Sequence, residues 1–86
     1  MPKPKRIPSF LRLPGEFLIR VHQVKPGGLA EDSEAEWWID SGGEGGTIKL
    51  PRNAARAEKI KLFDHELEHA VADWKRHFIE RLRGLR

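Results

Sequence analysis

Hydrophobic positions fall into two regimes along the chain. Up to Pro51 they come in short clusters separated by Pro and Gly. Beyond Pro51 they recur at three- and four-residue steps without interruption. Phe17 to Val24 is rich in β-branched and apolar residues and predicts a strand, which Pro26-Gly27-Gly28 ends. Glu36 to Asp40, with Trp37, Trp38 and Ile39, predicts a second strand, and neighbouring residues on a strand point to opposite faces, so one Trp belongs to the core. Ser41 to Gly46 holds four glycines and predicts a hairpin loop leading to a short third strand, Thr47 to Leu50. Ala54 to Leu82 contains neither Gly nor Pro and predicts one helix, with Asn53 as N-cap and Gly84 near its end. Ile60, Phe63, Leu67, Ala70, Val71, Trp74, Phe78 and Leu82 form its apolar stripe. The expected fold is therefore α+β: a small antiparallel sheet of about three strands packed on one long C-terminal helix.

Before the first strand, Pro2, Pro4, Pro8 and Pro14 keep residues 1–14 extended, a basic Pro-rich arm expected to pack Ile7, Phe10, Leu11 and Leu13 onto a single domain at 15–86. The helix would run roughly 45 Å, more than a small sheet can cover. It must then project, break, or pair with a second copy.

Length and charge narrow the function. Eighty-six residues give room for one core, and with no cysteine there is neither a disulfide nor a thiolate metal site. No apolar run is long enough to span a membrane, and no hydrophobic stretch follows the N-terminal charges, so a cytoplasmic protein is expected. The net charge of +3 is uneven: +5 over residues 1–25, −5 over 26–51 and +3 over 52–86. A basic arm is suited to nucleic acid, but no helix-turn-helix, RNA-binding or zinc-finger pattern accompanies it, so nucleic acid is not the expected partner. The glycines at 42–46 do not form a phosphate loop, since no Lys-Ser/Thr and no helix follow them.

The chemistry concentrates in His65-Glu66-Leu67-Glu68-His69, a His-Glu-x-x-His pattern inside the predicted helix. Positions i and i+4 lie on one helical face about 6 Å apart along the axis, so two imidazoles can converge on one zinc ion. The plain alternative is two solvated histidines on an exposed helix face. His65 to Trp74 resembles the active-site helix of zincin metallopeptidases, above all the thermolysin-like gluzincins. The hairpin, short strand and helix layout is also similar to minimal zincin-like proteins of phage and prophage genomes.

That resemblance implies zinc as cofactor, with His65 and His69 as ligands and Glu66 as general base on zinc-bound water, for hydrolysis of a peptide or protein substrate. It also implies that Thr47, Ile48, Lys49 and Leu50 form the edge strand along which substrate lies, and that Asp73 matches an acidic residue one turn beyond the second His. The chain departs from the gluzincin pattern in two ways. A third ligand usually comes from a Glu on a later helix, and Glu80 is the sole Glu after His69; there is also no tyrosine to stabilise an oxyanion. Candidates for a third ligand or an outer-sphere partner are Asp73, His77 and His22, or a residue of a second copy meeting the first through the long helix. The alternative function is a non-catalytic, partner-binding or regulatory phage protein on the same fold, with zinc structural or absent.

Overall fold

The structure, a computed structural model, describes residues 6–25 and 34–84. It contains β1 (Phe10–Leu13), β2 (Phe17–Val24), β3 (Glu36–Ile39), β4 (Gly45–Pro51) and α1 (Arg56–Arg83). The four strands form one sheet in the order β1-β2-β4-β3, with α1 packed on one face. The α+β architecture matches the sequence pattern. The sheet has one strand more than expected and is mixed, because β2 and β4 run parallel while β1 and β3 pair antiparallel at the two edges.

β1 lies in the stretch read as an extended arm. Leu11 and Leu13 pair with Ile19 and Phe17, and both are half-buried against the core. The three-residue turn between β1 and β2 requires left-handed backbone at Gly15 (φ 87°) and Glu16 (φ 63°). Gly15 also lies against the Phe78 ring, where a Cβ would sit 3.2 Å from the nearest ring carbon. The β3–β4 hairpin closes through Asp40 N–H donating to the Gly45 carbonyl at 2.8 Å and Gly43 N–H to that of Asp40 at 2.9 Å.

Strand alternation sorts the side chains. Phe17, Ile19, Val21, Ile48 and Leu50 turn toward α1 and join its Phe63 and Ala70 in the buried core. Trp37 and Ile39 flank that core from β3. Arg20, His22, Thr47, Lys49 and Trp38 fall on the other face by the same alternation. Trp37 and Trp38 therefore do point to opposite faces, with Trp37 on the core side.

α1 starts later than its composition suggested. Asn53 lies in the turn after β4; Ala55 is the N-cap, with no side-chain cap bond. The helix then continues unbroken for 28 residues to Gly84, whose N–H donates to the Glu80 carbonyl at 3.0 Å. At about 1.5 Å per residue it is ~42 Å long, and its overhanging end leaves Ile79 and Leu82 exposed. Among the described residues, no helix is long and apolar enough to cross a membrane.

The helix returns over the sheet antiparallel to β4. Lys59 Nζ donates to Gln23 Oε1 near its start (2.9 Å), and Trp74 Nε1 (2.8 Å) and Arg81 Nη1 (3.2 Å) donate to the Pro14 and Gly15 carbonyls near its end. Its packed face is rotated from the apolar stripe. Phe63, Glu66 and Ala70 are buried, whereas Leu67, Val71, Trp74 and Phe78 are half-buried and Leu82 is exposed.

Gly46 marks a tight contact in the sheet. A Cβ there would collide with the Trp38 carbonyl and the Trp37 ring, whereas one on Gly42 would meet nothing nearer than 3.9 Å. Gly46→Ala is expected to destabilise the protein by about 1–3 kcal/mol. Gly42→Ala should change stability by less than about 1 kcal/mol. Urea unfolding of both variants checks the contrast.

Candidate metal centre

His65 and His69 occupy successive turns of α1 on its exposed side. Their Nε2 atoms are 3.3 Å apart, with ring centroids at 4.8 Å and planes at 87°. Two nitrogens each bound at 2.0–2.1 Å to one tetrahedral zinc would lie about 3.3–3.4 Å apart. The pair thus already has the bite of a two-histidine chelate. The same separation also suits a hydrogen bond in which one Nε2 carries the proton and the other accepts it.

Glu66 is displaced by about 100° around the helix from His65. That rotation carries it toward the sheet, where it is 9% exposed. It makes no hydrogen bond or ion pair among the described residues, and no fully buried side-chain oxygen lacks a partner. Its carboxylate oxygens therefore keep contact with water at the margin of the packed face.

Asp73 is on the same flank, one turn beyond His69. Its Oδ2 accepts a 2.7 Å hydrogen bond from Trp37 Nε1, and its Oδ1 accepts from Arg76. Both oxygens are thus committed to β3 and to the helix surface, and neither bonds His69. What Asp73 does here is tie the helix flank to β3. The expectation from spacing had the right flank and missed this partner, because Trp37 is 36 residues away in sequence.

The other candidates are kept apart by the fold. His22 stands on the sheet face away from α1, alternating with Val21, whose side chain is buried beneath the helix. His77 is about 12 Å beyond His69 along the axis; its ring is half-buried against Gly43 in the β3–β4 turn. Among the described residues, no group of three His, Cys, Asp or Glu side chains comes together to hold a metal. The residues present fit a zinc ion as two of its ligands.

The proposed substrate strand also changes place. Thr47, Ile48, Lys49 and Leu50 lie in β4, which is bonded on both sides, to β2 and to β3. A strand paired on both sides has no backbone groups left for a peptide. The sheet edge beside the histidine flank is β3, because Asp73 reaches Trp37 while Trp74 and Arg81 reach the β1–β2 turn on the other side. The Asp40–Gly45 bond sets the antiparallel alternation, which turns the backbone N–H and C=O of Trp37 and Ile39 away from β4. Periodicity alone could not reveal this, since β3 and β4 are equally plausible edges until β2 inserts beside β4.

The Trp37–Asp73 bond has a carboxylate acceptor and is part-buried. Trp37→Phe keeps the ring packing, removes the donor, and is expected to cost about 1.5–3 kcal/mol. Thermal unfolding of Trp37→Phe, Asp73→Asn and the double variant checks this, and the two losses should not add. No protein-family model matches the chain, and no curated protein and no solved structure matches it.

Proposed function

We propose that this chain is a minimal zincin-type metallopeptidase of the phage and prophage kind, in which His65 and His69 bind zinc. The observation that supports this reading most directly is the 3.3 Å separation of the two Nε2 atoms on an exposed helix flank. Zinc, when bound, supplies a Lewis acid that polarises a carbonyl and acidifies water.

The remaining work falls to residues of the chain. Glu66 adjoins His65 in sequence, has no competing partner among the described residues, and keeps solvent contact at its oxygens. It takes the proton from the attacking water and returns it to the leaving amine. β3 receives the substrate as an added strand, through the outward N–H and C=O groups of Trp37 and Ile39. The Trp37–Asp73 bond holds that edge against the helix flank and keeps substrate and histidines in register.

A second reading has its own support. Both oxygens of Asp73 are engaged elsewhere, and no third ligand joins the histidines among the described residues. On that reading the chain is a non-catalytic, partner-binding module, with zinc structural or absent.

Metal analysis combined with a peptide-hydrolysis assay separates the two. The enzyme reading expects about one zinc per site, retained in Glu66→Gln with hydrolysis abolished. It expects zinc and activity to be lost together in His65→Ala and in His69→Ala. Zinc bound by an inert wild-type protein would favour the second reading. Full activity in Glu66→Gln would remove the general base.

A further inference from the structure

Among the described residues, no helix covers the sheet face opposite α1, and one cross-strand row there spans all four strands. Phe10 pairs with Arg20, Arg20 with Thr47, and Thr47 with Trp38. The row has an aromatic residue at each edge of the sheet and a cation between them. Phe10 is 56% exposed and Trp38 58% exposed. Three strand spacings separate the two aromatic positions by about 14 Å.

Leaving two large aromatic side chains in water forfeits burial in a protein too small to waste it. Trp38 is held in place as well as exposed, since its Nε1 donates to Glu36 Oε2 at 2.8 Å. That bond fixes the indole and leaves one ring face open.

Three cations lie in and around the row. Arg12 projects on the same side, two residues along from Phe10, and Lys49 two along from Thr47. Arg12 and Arg20 are exposed and Lys49 is half-buried. Glu36 is buried beneath Trp38. Asp40 is an exposed carboxylate of this face; it meets Arg20 at 3.5 Å with both side chains 48% exposed, a solvated pair that an incoming phosphate can displace.

We infer that this open sheet face binds single-stranded nucleic acid, with Phe10 and Trp38 stacking on bases and Arg12, Arg20 and Lys49 meeting phosphates. Aromatic platforms on a sheet suit splayed bases, because every base offers a π-face, and cations between the platforms track the backbone. A duplex would not reach the rings, since its bases are stacked on one another. The face lies across the sheet from His65 and His69, so this binding is independent of the metal centre.

The test is fluorescence anisotropy of a labelled oligothymidylate of about 12 nucleotides, titrated with the full chain. Three phosphate contacts predict a log–log salt slope of about −2, or roughly 20-fold weaker binding between 50 and 200 mM salt. Phe10→Ala and Trp38→Ala should each weaken binding about tenfold or more. Both side chains are exposed, so the far-UV helix signal should be unchanged. Arg20→Ala should reduce the salt slope by about 0.7. The His65→Ala/His69→Ala double variant should bind like the wild type, which separates this site from the proposed peptidase.

No binding at low salt would overturn the inference, as would binding indifferent to Phe10→Ala and Trp38→Ala. So would sedimentation showing a wild-type dimer that Trp38→Ala dissolves, because the face would then be an interface between copies.

Discussion

The rotation of α1 about its own axis decides what every other helical residue meets. Phe63 and Ala70, seven positions apart, are the hydrophobic side chains that α1 buries in the core. With those two inward, geometry at 100° per residue leaves no freedom for the rest. Glu66 comes to the margin of the packed face, and His65 and His69 come to solvent. Asp73 comes to β3, while Trp74 and Arg81 come to the β1–β2 turn. The larger apolar residues Leu67 and Val71 are left half-buried on the far flank. The histidine flank is open because Phe63 and Ala70 turn the other side of the helix inward.

This rotation marks the boundary of what the sequence made legible. The helix itself was readable: 28 observed residues fall where an uninterrupted stretch of helix formers lies. The strands β2, β3 and β4 were readable from β-branched clusters bounded by Pro and Gly. β1 was not, since four residues between two prolines carry little periodic signal. The parallel pairing of β2 with β4 was out of reach too, because nothing local announces which strand inserts between two others. The apolar stripe supplied Phe63 and Ala70 to the core and Leu67 and Trp74 beside it, but it left out Glu66. Glu66 carries charge, so a hydrophobicity count places it outward. It is buried because its neighbours at 63 and 70 are.

The site shows the same division between local and non-local information. The i, i+4 spacing of His65 and His69 is a local fact, and helical geometry alone brings their nitrogens to a chelating distance. Asp73 shares that flank for the same reason, yet its partners settle its role. One is local, Arg76 a turn away; the other, Trp37, is fixed by how the sheet lies beneath the helix. His22 looked eligible as a strand histidine and is excluded by parity: an even position on β2 faces away when Ile19 and Val21 face the helix. Thr47 to Leu50 are excluded as an edge for a topological reason, since β4 is paired on both sides.

β3 is therefore the element on which both faces of the molecule depend, and it is only four residues long. Strand parity gives it two adjacent tryptophans with unrelated tasks. Trp37 lies over Gly46 and holds Asp73; Trp38 faces the opposite way and rests on Glu36. A register slip of one residue would exchange them. The helix would lose its clip, the open face would lose its aromatic edge, and a large ring would be turned away from Gly46, where the absence of a side chain makes room for it. Gly46 makes room for the Trp37 ring and Asp73 accepts its indole N–H, so the register is specified twice. A short edge strand with few backbone bonds needs that redundancy.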